Sequence, residues 1–247
     1  AAGEQILNGR ITSTSVETFD LRTIGTDSTI DLTESQDVET VKVTGSQDLE
    51  VTEVGDGVEF AMTSFDDLLE VGLASPTGAG DEVTLTVDDL PDAGDAAFET
   101  DGVETLTVIG ENNLSELEFN DRGDGKTDQV WSQLETLNIK GDAEVQLETA
   151  LGNAANFSKV DGSESTGGFF VDLGGLSIEN VDVIGGEGSD TVFASLGSAT
   201  VDASDKFVDV ENIGINATAS TATVNVAGIN ETVETVQAIE SGNDNTF

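Results

Sequence analysis

This chain of 247 residues contains no Cys and no His. Disulfides, thiolate nucleophiles and thiolate metal sites are therefore excluded, as are the usual serine triad and imidazole-bound zinc. Tyr is absent, Trp and Met occur once each, and Pro occurs twice. Cations are scarce: 8 Lys and Arg stand against 50 Asp and Glu, a formal net charge of −42. Nucleic acid is excluded as a partner, because phosphate contacts need clustered Lys and Arg. The same balance disfavours an anionic membrane surface, and no apolar run is long enough for direct insertion into a bilayer. The chain opens at Ala1 without a recognisable leader and reads as a fragment or processed piece of a longer protein.

What is abundant is Gly (28 residues), together with Thr, Val, Asp and Glu. Thr and Val favour a pleated, half-buried surface, and Gly supplies turns, so the composition reads as all-β. A charge of −42 repels itself unless something offsets it. Divalent cations on carboxylates and carbonyls would do so locally, and salt would do so by screening. A surface kept acidic for solubility is the plainer alternative.

One pattern organises the chain: an aliphatic residue, Glu, Thr or Asn, then an apolar residue. It occurs at Val16-Glu17-Thr18-Phe19, Val38-Glu39-Thr40-Val41, Val103-Glu104-Thr105-Leu106 and Leu134-Glu135-Thr136-Leu137. It returns at Ile178-Glu179-Asn180-Val181, Val210-Glu211-Asn212-Ile213 and Val233-Glu234-Thr235-Val236. The copies are separated by 22, 65, 31, 44, 32 and 23 positions, and four of those gaps lie near multiples of 22. A fixed period of that size marks a solenoid, in which each repeat buries its apolar face only against its neighbours. Short alternating segments such as Thr40–Thr44, Val83–Val87, Thr105–Ile109 and Thr136–Lys140 supply the strands.

The expected fold is thus a parallel β-solenoid of β-helix or β-roll type, with coils of about 22 residues and about two strands per coil. A β-sandwich is the alternative, because short strands at this spacing also suit hairpins. Residues 1–247 read as one elongated unit, with residues 120–130 as the place where two lobes would divide. Phe60 to Leu73 is expected as a short helical turn or a coil with an insertion. Asp89 to Thr100 is expected as an exposed loop. The repeated Glu should face outward and align, at least in part, as Glu17, Glu39, Glu104 and their successors.

Two segments suggest metal chemistry. Gly185-Gly186-Glu187-Gly188-Ser189-Asp190-Thr191-Val192-Phe193 fits the calcium-binding nonapeptide G-G-x-G-x-D-x-U-x at every specified position. Its glycines, Gly186 and Gly188 among them, permit a tight turn and offer carbonyls, Asp190 offers a hard oxygen, and Val192 enters the core. Such motifs work in tandem; here the second copy is fragmentary, with Asp161-Gly162 and Gly167-Gly168 as its remains. A metal-free structural turn is the competing reading. The second segment, Asn120 to Asp128, places Asp121, Asp124 and Asp128 among two Gly, as in a minimal Ca²⁺ loop. Arg122 and Lys126 lie within it, and a plain solvated loop is its alternative.

Ser158 to Gly168, followed by Phe169-Phe170-Val171-Asp172-Leu173, resembles the coils of RTX-type, type I-secreted bacterial surface-layer (S-layer) proteins and large adhesins. Val201-Asp202-Ala203-Ser204 repeats the opening of that pattern, and residues 100–247 carry most of the likeness. The resemblance implies export without disulfides and folding in extracellular calcium. It also implies assembly into a lattice or adhesive rod, with Asp190 and the carbonyls of Gly186 and Gly188 serving Ca²⁺. The expectation is an extracellular, cell-surface structural protein that self-associates into a lattice or filament. The rival is a salt-adapted adhesin or binding module that recognises a protein or a cell-surface polysaccharide. An enzyme is not expected; carboxylate pairs are the one acid–base chemistry the inventory leaves open.

Overall fold

The computed structural model of the chain describes residues 8–35, 37–76, 80–91, 96–119, 131–149, 151, 154–195, 200–202, 206–217, 223–225 and 233–240. In chain order the strands begin with β1 (Asn8–Thr12), β2 (Thr18–Thr23), β3 (Ser28–Glu34), β4 (Thr40–Gly45), β5 (Leu49–Val54), β6 (Glu59–Phe65) and β7 (Leu68–Leu73). They continue with β8 (Glu82–Asp88), β9 (Ala97–Thr100), β10 (Thr105–Gly110), β11 (Ser115–Phe119), β12 (Thr136–Gly141), β13 (Val145–Thr149), β14 (Lys159–Ser165) and β15 (Phe169–Ser177). The last are β16 (Asp182–Ile184), β17 (Thr191–Ser195), β18 (Thr200–Asp202), β19 (Phe207–Val208), β20 (Asn212–Ala217), β21 (Thr223–Asn225) and β22 (Thr235–Glu240). Among the described residues there is no α-helix.

Up to β17 the chain alternates between two sheets, and every strand pairing among the described residues is parallel. A long sheet of 11 strands runs β1-β3-β5-β7-β9-β11-β13-β15-β17-β20-β22. Facing it, a short sheet of 9 strands runs β2-β4-β6-β8-β10-β12-β14-β16-β19. Strands β18 and β21 pair separately, adding a third side near one end. This is the parallel β-solenoid; a sandwich of hairpins would pair antiparallel. Thr18 pairs with Thr40, Glu82 with Thr105 and Lys159 with Asp182, so these coils advance 22 or 23 residues, whereas Thr40 to Glu59 takes 19 and Glu59 to Thr84 takes 25. The step from Thr105 to Thr136 is 31 residues, and its excess falls at residues 120–130, outside those described.

Alternation explains the core. In β10, Leu106 and Val108 are fully buried while Thr105, Thr107 and Ile109 lie at the surface side. Stacking repeats this inward row along the rod, for example Val83, Leu106, Leu137, Val160 and Val183. One apolar cluster follows from Ile30 to Ile215, with Phe60, Phe65, Phe98, Phe119 and Phe169 as its largest fully buried members. Burial of each such side chain contributes about 1.5–3 kcal/mol. Trp131 packs beside Phe119 and Phe98, with ring centroids 5.0 and 6.2 Å away, so the core passes without interruption beneath the longest coil.

Two expected irregularities are regular strands. Phe60 to Leu73 forms β6 and β7, with Phe60, Met62, Phe65, Leu69 and Val71 buried. Its alternation is hidden by a bulge: Thr63 and Ser64 both face out, and Ser64 sits at φ 46 so that Phe65 can turn in. The same device recurs in β14, where Ser163 and Glu164 face out and Ser165 turns in. Within Asp89 to Thr100, Leu90 is buried and Ala97–Thr100 form β9, buried on both faces; residues 92–95 lie outside the described set.

Candidate functional site

The repeated Glu marks a corner of the solenoid. The Glu17 carbonyl accepts the N–H groups of Glu39 and Thr40 at 2.8 and 2.9 Å, and Glu104 accepts those of Glu135 and Thr136 at 2.9 and 3.0 Å. Glu135 continues the ladder to Ser158 and Lys159. The expected alignment is therefore found in part: Glu17 stacks on Glu39, and Asp81, Glu104 and Glu135 stack in turn, but Glu59 stands level with Thr40, one place past the corner. The copies Glu211 and Glu234 form a second ladder, at 2.8 and 3.0 Å, but on the other side, where the chain enters the long sheet.

At two corners the Glu side chain reaches back one coil. Glu104 Oε2 accepts the N–H groups of Gly80 and Asp81 at 3.2 and 2.8 Å, and Glu211 Oε2 accepts that of Asp190 at 2.8 Å. These carboxylates tie neighbouring coils together, a role the outward-facing reading did not include. The available signal was arithmetic: Glu104 and Glu211 stand 23 and 21 residues after their partners, one coil each.

The nonapeptide is the turn from β16 to β17, and close packing accounts for its glycines. A Cβ on Gly186 would sit 2.1 Å from the Ser165 carbonyl oxygen, and one on Gly188 would sit 2.1 Å from the Gly168 nitrogen. Asp190 is fully buried. Its Oδ1 accepts the Phe169 N–H at 3.1 Å and its Oδ2 accepts the Gly186 N–H at 2.7 Å. Burial, with the charges of Glu211 and Asp209 adding to it, pushes its pKa up to about 6 against two bonds that pull it down.

Ca²⁺ takes six to eight oxygen ligands at about 2.3–2.6 Å. Among the described residues no three carboxylates converge on a point that would hold a metal ion. Both Asp190 oxygens are turned to N–H donors, so the residues around Asp190, Gly186 and Gly188 fit a backbone staple better than a calcium cage. Asp161 is one coil earlier, but it is engaged elsewhere: Lys159 Nζ lies 2.8 Å away, and Ser163 donates through N at 3.1 Å and Oγ at 2.6 Å. Partial burial raises its pKa, and those bonds outweigh it, leaving the carboxyl below its ordinary value. Asp121, Asp124 and Asp128 lie outside the described residues.

The two outer faces differ in charge. The long sheet stacks Glu50, Glu70 and Glu99 in register, then Glu118, Glu148 and Asp172. Partial burial, then the charges of Glu118, Asp172 and Glu116, push the Glu148 pKa up. Of the described cations only Arg10 lies in this sheet, 3.3 Å from both Asp31 and Glu34. Arg22, Lys42, Lys140 and Lys159 lie in the short sheet, with Lys206 beside its last strand. There Lys140 meets Glu164 at 3.1 Å and Lys206 meets Asp182 at 2.7 Å. Among the described residues, then, carboxylates stack in register along the long sheet, and the short sheet mixes both signs.

The chain matches no family model, no curated protein and no solved structure. Its fold is read from its own strand registers.

Proposed function

We propose that this protein is a structural element of a cell surface, a surface-layer or adhesin segment whose work is to hold shape and to assemble. The observation that carries this reading is the acidic outer face of the long sheet, set on a continuous rod-like core. Carboxylates stacked about 4.8 Å apart repel one another, and a chain of net charge −42 is least strained where cations are plentiful. Outside a cell, divalent ions such as Ca²⁺ offset these rows and lower the barrier between copies of −42 charge. In this reading calcium acts along the acidic face, as counter-ion and bridge, and not through a preformed cage at Asp190.

The test is particle size and electron microscopy of the intact chain as CaCl₂, MgCl₂ and NaCl are added at matched ionic strength. Ordered assembly on adding divalent ions supports the reading. A monomer that stays single under every cation, and instead retains a cell-surface polysaccharide, replaces it with the binding-module alternative.

A further inference from the structure

Phenylalanine points inward along most of this rod. Among the described residues eight Phe, from Phe19 to Phe207, belong to the core cluster or pack against it. Phe170 and Phe193 do not. Both are half-buried and take outward places on the long sheet, in β15 and β17. Alternation puts them there, because Phe169, Val171 and Val192 hold the inward places beside them.

The two rings form a pair, with centroids 5.2 Å apart and planes tilted by 42°. Phe193 stands level with Gly214 of the next coil. A Cβ on Gly214 would lie 2.4 Å from both Cδ1 and Cε1 of Phe193, so glycine leaves room for the ring to lie across that strand. Apolar surface kept on an outer face in this way marks an interaction site.

The pair also stands at the end of an acidic run. Glu118, Glu148, Asp172 and Phe193 are level on successive coils, and Glu116, Gln146 and Phe170 run beside them. Strands β11, β13, β15, β17 and β20 contain no Lys or Arg. Partial burial, then the charges of Glu118, Asp172 and Glu116, raise the Glu148 pKa, and a cation entering the row would reverse that shift. Aromatic faces and carboxylates thus adjoin. A guanidinium uses both: it stacks on the ring face and forks onto the carboxylate.

We propose that Phe170 and Phe193, with the carboxylates of Asp172, Glu148 and Glu118, form a docking strip for a basic, arginine-bearing segment of a different protein. One Arg stacks on the ring pair beside Asp172, and a second cation enters between Glu148 and Glu118. Those two places lie two coil steps apart, roughly 10 Å, which an extended chain spans in about three residues. A second copy of this chain is a poor donor of such a segment. Arg10, Lys140, Lys159 and Lys206 already meet carboxylates of their own chain at 2.7–3.3 Å, and two copies of net charge −42 repel each other. The inference is independent of self-assembly and gives the acidic face a partner of opposite charge.

The experiment is fluorescence anisotropy of a labelled Gly/Ser peptide carrying two Arg three positions apart, titrated with the intact chain at low ionic strength without divalent ions. Saturable binding that weakens as NaCl rises is expected. Phe170→Leu with Phe193→Leu keeps apolar cover but removes the ring faces, and should weaken binding about fivefold. Glu148→Gln should weaken it about threefold or more, whereas Glu70→Gln, an equal change of charge in the other acidic row, should leave it within about twofold. Melting curves check the fold of each variant. Exchanging Arg for Lys in the peptide tests stacking without altering the chain, and should weaken binding about threefold. Equal losses for Glu148→Gln and Glu70→Gln would reduce the interaction to overall charge and overturn the strip. Full affinity in the leucine variant, or no binding by the native chain, would overturn it equally.

Discussion

Glu211 accepts the backbone N–H of Asp190 at 2.8 Å, while the Asp190 carbonyl accepts the N–H of Asn212 at 3.0 Å. The corner residue of one coil thereby closes a ring of bonds with the turn residue of the coil before it. Glu104 and Asp81 repeat the arrangement, with the Glu104 N–H meeting the Asp81 carbonyl at 3.1 Å. Adjacent coils are thus joined by side chains as well as by the strand ladders.

Replacing Glu211 should loosen that corner. Glu211→Ala leaves the buried Asp190 N–H without an acceptor, at a cost of about 1–2 kcal/mol. Glu211→Gln keeps an acceptor oxygen and should lose less than half of that. Urea unfolding gives the stability, and hydrogen exchange at the Asp190 amide reads the bond directly. Equal protection of that amide in both variants would argue against the staple.

The buried Asp190 gives a pH dependence of definite sign. Its folded pKa, about 6, lies above the ordinary 3.8, so the folded state holds the extra proton between those values. This group's contribution to stability is therefore greatest below about pH 4 and declines as pH rises to about 6. The change amounts to at most about 3 kcal/mol. Asp190→Asn should flatten that part of the stability–pH curve relative to the native chain. Parallel curves for the two proteins between pH 4 and 6 would show that Asp190 does not titrate there.

The glycines of the nonapeptide should be needed with or without metal. Gly186→Ala drives a Cβ to 2.1 Å from a backbone oxygen of the preceding coil, and the expected loss exceeds about 2 kcal/mol. Gly175, in β15, has nothing within 4 Å of an added Cβ, and Gly175→Ala should be neutral or stabilising by up to about 1 kcal/mol. Melting curves in EDTA compare the two; equal midpoints would remove packing as the reason for the motif.

Reversing one charge in the acidic row tests whether it is repulsive. Glu148 stacks between Glu118 and Asp172, and Glu148→Lys would give both neighbours a cation in register. A gain below about 1 kcal/mol is expected at low ionic strength, fading in molar salt. A loss of stability at low salt would show that the row is already compensated.

The sequence displayed the coil length because the Glu corners repeat it. The same corner, however, precedes the short sheet at Glu17, Glu39, Glu104 and Glu135 and the long sheet at Glu211 and Glu234. Nothing in those four residues encodes which sheet follows. Phe60 to Phe65 hid its strand because the bulge at Thr63 and Ser64 breaks the period of two. At the nonapeptide, the residue types Gly and Asp were legible as a tight turn. The partners of Asp190 were not, because Phe169 and Glu211 are each 21 residues away and meet it only when coils stack.

The central claim is that cations relieve an acidic rod and let it assemble. Thermal unfolding in EDTA, millimolar Ca²⁺ and Mg²⁺, at matched ionic strength and with particle size followed in parallel, tests it most directly. The account expects a higher midpoint and larger particles with divalent ions than in EDTA, with Asp190→Asn showing the same rise as the native chain. Identical midpoints and a constant size in all three media would contradict it.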